Sequence, residues 1–214
     1  MSLTFYCGSG SPYAWKVWLV LEHKQIPYEF RLLSFDSGDT KTPEFRAINP
    51  RGRVPTIVDD GFALWESAAI AEYLEERYPQ NPLLPPGDAR ARATARRLAA
   101  EAESYLSPAV GELFDLTLFA KEPAAPAAIA ASHQRLLEEL GRFESQLVGP
   151  HLVGPLSLAD FTLFPHLRLL KRIDDRQPGK GIADDRLPPK LQAWKKRIEA
   201  LPYYDKTIPP HWKS

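Results

Sequence analysis

The sequence predicts an α/β domain with a small mixed sheet, followed by an all-α helical bundle domain. Three observations point there. Strand-like and helix-like stretches alternate as far as residue 78, Pro79, Pro82, Pro85 and Pro86 stiffen the next segment, and beyond it the apolar spacing is helical throughout. The expected divisions are therefore residues 1–78, a linker at 79–87, and 88–214. A chain of 214 residues, 44% of them apolar, can bury two cores of that size.

Each element has its own signal. Residues 3–7 (LTFYC) are a short apolar run ending at Gly8, Ser9 and Gly10, which reads as a strand entering a turn. Pro12 suits the first turn of a helix, and Tyr13, Val17, Val20 and Leu21 continue at helical spacing to His23 and Lys24. Residues 28–33 read as a second strand, and residues from Asp36 to Asp39 as a loop that continues to the next strand. From Thr56, two apolar runs flank Asp60 and Gly61, a strong hairpin signal. Ser67 then opens a helix with Ile70, Ala71 and Leu74 on one face and Pro79 as its stop. In the second half, residues 88–120, 127–147, 157–171 and 188–200 carry helical periodicity. Ser107 and Pro108 are expected to interrupt the first of these, and an Ala/Pro-rich connection spans 122–131.

Composition excludes several classes of function. Lys plus Arg and Asp plus Glu each total 27, so there is no basic excess for a nucleic-acid groove or an acidic membrane surface. The single cysteine, Cys7, forms no internal disulfide, which points to a reducing, cytoplasmic setting. One cysteine and five scattered histidines do not give metal-ligand spacing, and no run approaches the length of a membrane span.

Two places carry chemistry. Asn49-Pro50-Arg51-Gly52-Arg53-Val54-Pro55 turns the chain sharply into a strand, so Val54–Pro55 is a candidate cis peptide, with an ordinary trans proline as the alternative. In the cis form the Val54 N–H and C=O would face outward and could pair with an extended peptide. Glu66 and Ser67 sit where the hairpin meets the next helix. Ser67 is read there as an N-cap beside a positive helix end that suits a carboxylate, while Glu66 could hold an ammonium. The plain alternative is a capping serine next to a solvated glutamate.

Together these motifs carry a resemblance. SPYAWKV after the first strand, NPRGRVP before the third and ESAAIAEYL after the hairpin resemble the N-terminal domain of cytosolic glutathione transferases. Ser157, Leu158, Ala159 and Asp160 after Gly154 resemble the capping box of that family's buried central helix. The resemblance implies a thioredoxin-like first domain that binds glutathione as co-substrate and a helical domain that supplies the pocket for a small-molecule electrophile. It also implies a homodimer.

Residue by residue, the resemblance implies that Ser11 holds the glutathione sulfur as in serine-type members, with Ser9 a nearby competitor. Val54, with Pro55, would pair with the cysteinyl backbone, Glu66 and Ser67 would bind the γ-glutamyl end, and Arg53 and Lys41 would lie near the glycine carboxylate. Tyr13, Tyr105, Phe114 and Trp212 are candidates for the electrophile pocket, although spacing alone suits Tyr105 and Phe114 equally to the core. His211 and Trp212 either cover the site or anchor the tail. The isomerase-type class carries a second serine and a cysteine where this chain has Pro12 and Tyr13. Other readings are a glutathione-dependent peroxidase, a thiol transferase using Cys7, and a non-catalytic glutathione-binding scaffold.

Overall fold

The computed structural model describes residues 2–213. The chain forms two compact units, one built from the residues up to Leu83 and from Pro202 onward, the other from Leu84–Leu201.

In the first unit, β1 (Leu3–Gly8) leads through a three-residue turn into α1 (Pro12–His23). Ser11 caps α1 by accepting the Ala14 N–H at 3.3 Å, and Pro12 occupies the first helical position, where a missing N–H costs nothing. Strand β2 (Glu29–Leu33) runs parallel to β1, whereas β3 (Thr56–Asp59) and β4 (Phe62–Trp65) form an antiparallel hairpin beside it. The sheet order is β2-β1-β3-β4. Asp60 and Gly61, at φ 47 and 87, make the tight turn that Asp-Gly favours.

The segment expected as a continuous loop before β3 contains α2 (Pro43–Ile48). Its signal is local: Thr42 accepts the Phe45 N–H at 3.2 Å, Pro43 takes the first position and Glu44 lies at the positive end. The next helix, α3 (Ser67–Arg77), corrects the expected cap, because Glu66 occupies the N-cap and Ser67 is the first helical residue.

Helix α1, buried on every side from Ala14 to Leu21, and one face of α3 close the core. Phe5 of β1 lies edge-on to Tyr28 at 6.0 Å, while Trp18 stacks on Phe30 at 4.7 Å. Lys24, fully buried after α1, donates to Glu75 of α3 at 2.8 Å and to the Gln80 carbonyl at 3.0 Å, so no charge is left uncompensated.

The second unit is helical among its described residues apart from isolated bridges around His151. Helix α4 (Ala89–Glu101) passes through a π turn (Ala102–Leu106) into α5 (Ser107–Leu116). Pro108 cannot donate an i→i−4 bond, and the chain absorbs that loss as a π turn and not as a break. Helix α6 (Pro126–Gln146) begins inside the stretch expected as a connection, because Pro126 suits a first position and the alanines after it favour helix. Helix α7 (Leu158–Arg176) is buried on every side from Leu158 to Leu167 and forms the centre of this unit, with α8 (Pro189–Glu199) against it. The short α9 (Tyr204–Thr207) belongs to the first unit. Among the described residues no helix is long and apolar enough to cross a membrane.

Asp160 is the polar anchor of the second unit. Fully buried, it accepts the Ser157 N–H at 2.8 Å, the Ser157 hydroxyl at 2.7 Å, the Leu152 N–H at 3.0 Å and the Trp194 indole N–H at 2.7 Å. Removing the carboxylate strands several buried donors at once. Asp160→Ala is therefore expected to cost about 3 kcal/mol or more in chemical denaturation, against about 0.5 kcal/mol for an ordinary surface substitution.

Candidate active site

Register decides what lies together. Tyr6 of β1 pairs with Thr56, and Thr56 pairs with Trp65. Strands β1 and β4 therefore point the same way, and β3 starts where both of them end. The turn before α1, the Val54–Pro55 bond before β3 and the entry to α3 all emerge at this one edge of the sheet. Both helices present their N-termini to it, where unpaired N–H groups and the dipole favour negative charge.

Close packing joins the first two segments. A Cβ on Gly8 would lie 2.8 Å from Val54 Cγ2 and 2.4 Å from the Phe35 ring, so only glycine admits that approach. The Ser11 N–H donates to the Gly8 carbonyl at 3.1 Å, which closes the turn and aims the chain into α1. Ser11 Oγ receives the Ala14 N–H, and its own hydrogen is left to donate elsewhere.

The loop into β3 is held from beneath by Asn49. This fully buried amide donates to the Arg53 carbonyl and to Thr56 Oγ1, each at 2.9 Å, and accepts the Arg51 N–H at 2.9 Å. The Val54–Pro55 peptide is cis, Pro55 is buried, and Val54 stands outside the strand pairing. Gly52, at φ 58, lies where a Cβ would meet the Thr40 carbonyl at 2.6 Å, which brings the turn that carries Lys41 alongside this loop. Lys41 and Arg53 are exposed there.

Glu66 is exposed with φ 69 and ψ 111, a conformation that disfavours a side chain, and its carbonyl accepts the Ile70 N–H at 2.9 Å. Ser67 beside it is buried. The arrangement can seat an extended peptide with acidic ends: a backbone at Val54, two helix N-termini, two cations and a serine hydroxyl. Among the described residues no group of three or more His, Cys, Asp or Glu side chains could hold a metal.

Residues 10–77 match the family described as "Glutathione S-transferase, N-terminal domain", and residues 126–197 match "Glutathione S-transferase, C-terminal domain". Glutathione S-transferase 3 of Zea mays is 32% identical over 208 residues, covering 92% of this chain and 89% of the maize protein. This chain belongs to the glutathione S-transferase family. The crystal structure of a glutathione S-transferase from the Antarctic clam Laternula elliptica superimposes with a TM-score of 0.86 at 32% identity, covering 100% of this chain and 95% of that one. The glutathione transferase URE2P6 from Phanerochaete chrysosporium, solved in complex with oxidized glutathione, gives 0.80 at 26% identity, covering 99% and 96%.

The remaining candidate residues of this glutathione S-transferase family member divide between the two units. Tyr13 is exposed in the first turn of α1. Trp212 lies in a short turn of the tail (Pro210–Trp212), edge-on to Trp15 of α1 at 5.3 Å. In the helical unit, Phe114 packs against Phe119 at 4.6 Å, and Tyr105, 62% exposed, lines a cleft of about 540 Å³ with Arg97, Glu101, Arg142 and Phe143. Cys7 is buried, and loss of solvation pushes its thiol up to about 12, which removes nearly all thiolate at neutral pH.

Sequence reasoning missed two contributors to the site. Asn49 had a usable signal, since an asparagine two residues before the amide that it accepts is a common turn device. Phe35, exposed yet packed on Gly8, had none.

Glu66→Gly is expected to leave stability unchanged or raise it by about 1 kcal/mol in urea denaturation, because relief of the backbone cost outweighs the added entropy of glycine. A loss of more than about 1 kcal/mol would show that the side chain supports the fold.

Proposed function

We propose that this chain is a glutathione transferase that ionises the thiol of glutathione by hydrogen bonding from Ser11 and directs the thiolate at an electrophilic small molecule. The observation that carries the proposal is the convergence of the Ser11 turn, the Val54 backbone and the start of α3 at one sheet edge. In this reading Val54, beside Pro55, pairs main chain to main chain with the cysteinyl residue. Glu66 and Ser67 bind the γ-glutamyl ammonium and carboxylate, and Arg53 and Lys41 face the glycine carboxylate.

The energetics are within reach of hydrogen bonding from hydroxyl groups. A thiol of pKa about 8.5 is about 3% ionised at pH 7, and lowering it to about 6.5 takes about 2.7 kcal/mol. A hydrogen bond to an ion supplies about 1.5–3 kcal/mol, and the N-terminus of α1 adds about 0.3–1 kcal/mol. The thiol proton leaves to solvent, sulfur forms a bond to the electrophilic carbon, and the leaving group departs with its electron pair. An addition reaction instead takes up a proton. Ser11 stays a donor throughout and forms no covalent bond.

Tyr13 and Trp212 of the first unit are proposed to contact the electrophile. The depressed acidity of Cys7 favours Ser11 over a thiol-transferase mechanism. A homodimer acting in the cytoplasm is proposed by likeness to the family.

Ser11→Ala is expected to raise the pKa of the bound thiol by about 1 to 2, read from thiolate absorbance, and to lower conjugation of a chloronitrobenzene probe about 10- to 100-fold at pH 6.5. Glutathione affinity should change by only a few-fold. An unchanged thiol pKa would overturn the role of Ser11.

A further inference from the structure

The tail from Pro202 onward is fixed onto α1 at several points. The Tyr203 hydroxyl meets His23 Nδ1 at 2.8 Å, Lys206 pairs with Glu22 at 2.7 Å, and the Trp15 indole donates to Thr207 Oγ1 at 3.0 Å. These contacts carry the Pro210–Trp212 turn to the Gly8–Ser11 turn. A Cβ on Gly10, at φ 82, would come within 3.0 Å of His211 Cε1 and 3.6 Å of Trp212 Nε1, so glycine both permits the turn and admits the imidazole.

His211 is hydrogen-bonded at both nitrogens. Its Nε2 receives the Trp212 indole N–H at 2.9 Å, and its Nδ1 meets Ser9 Oγ. An indole nitrogen only donates, so Nε2 carries a lone pair. A neutral ring with a lone pair on Nε2 holds its proton on Nδ1, and that proton is donated to Ser9. Ser9 is thereby the acceptor towards the tail, and its own hydroxyl hydrogen is directed elsewhere. Ser9 is half-buried and two residues from Ser11.

We propose that Ser9 is a second hydroxyl donor to the glutathione thiolate, and that His211 is a positioning residue whose tautomer, set by Trp212, keeps Ser9 in its donating state. This rests on the reading of the Ser11 site given above. If the Nδ1 proton were absent, Ser9 would spend its hydrogen on the imidazole and be lost to the sulfur.

The test is the pKa of the bound glutathione thiol in the full-length protein, with glutathione affinity measured separately by calorimetry. Ser9→Ala should raise that pKa by about 1, the loss of one hydrogen bond to an ion at the weak end of its range, and His211→Ala, which leaves the Ser9 hydroxyl present but unoriented, should raise it by less. The double variant should match Ser9→Ala, since His211 acts only through that hydroxyl. Trp212→Phe keeps an aromatic ring against Trp15 but frees the imidazole tautomer, and it should raise the pKa in the same direction, while Ser9→Thr should restore the native value. Full binding with an unaltered thiol pKa in Ser9→Ala, or additive effects in the double variant, would overturn the inference and leave the Ser11 reading intact. Failure of the unaltered protein to bind glutathione would instead overturn that reading, and this inference with it.

Discussion

The pairing of Thr56 with Tyr6 on one side and Trp65 on the other is the constraint on which the site depends. It joins a parallel strand pair to an antiparallel hairpin in one sheet, and the mixed order sends two helix N-termini and one proline turn to the same edge. A slip of one residue would turn every side chain of the strand to the other face and misplace Val54 with respect to Gly8. Asn49 reinforces the register, because the amide that bonds Thr56 Oγ1 also holds the Arg53 carbonyl. Local hydrogen bonding and sheet register thus act on the same short segment.

Burial separates the roles of the thiol of the first strand and the hydroxyl of the turn after it. Cys7 lies inside the sheet with its thiol held neutral by lack of solvation, so it behaves as a small apolar residue. Ser11 lies three residues beyond β1, with one lone pair engaged by the helix and a hydrogen still available. A group that need only donate does not require a base to activate it, which suits a turn where the nearest imidazole, His211, faces Ser9. The strain at Glu66 belongs to the same economy: an unfavourable φ places the side chain at the helix entrance, and the packed core of the unit sustains it.

Most of the architecture was legible because its signals are local. Pro12, the Asp60-Gly61 turn, Pro79, the apolar spacing of α1 and α3 and the capping box of α7 each specify backbone geometry within a few residues. The short α2 escaped notice although Thr42 and Pro43 announce it, because six residues are too few to show periodicity. The cap of α3 was misplaced by one residue, since serine is the commoner cap and a glutamate at positive φ is rare. Contacts made over long separations were not readable at all. Ser9 with His211, and Phe35 with Gly8, depend on where the tail and the β2 exit come to rest, and no spacing in the sequence encodes either.

The central claim, that glutathione lies along this sheet edge, is tested most directly by following backbone amide resonances of the labelled protein as reduced glutathione is added to millimolar concentration. The account predicts saturable shifts concentrated at residues 8–15, 52–57 and 66–70, with the amide of Val54 among the largest. Shifts that are absent, or that fall mainly within Leu84–Leu201, would contradict it.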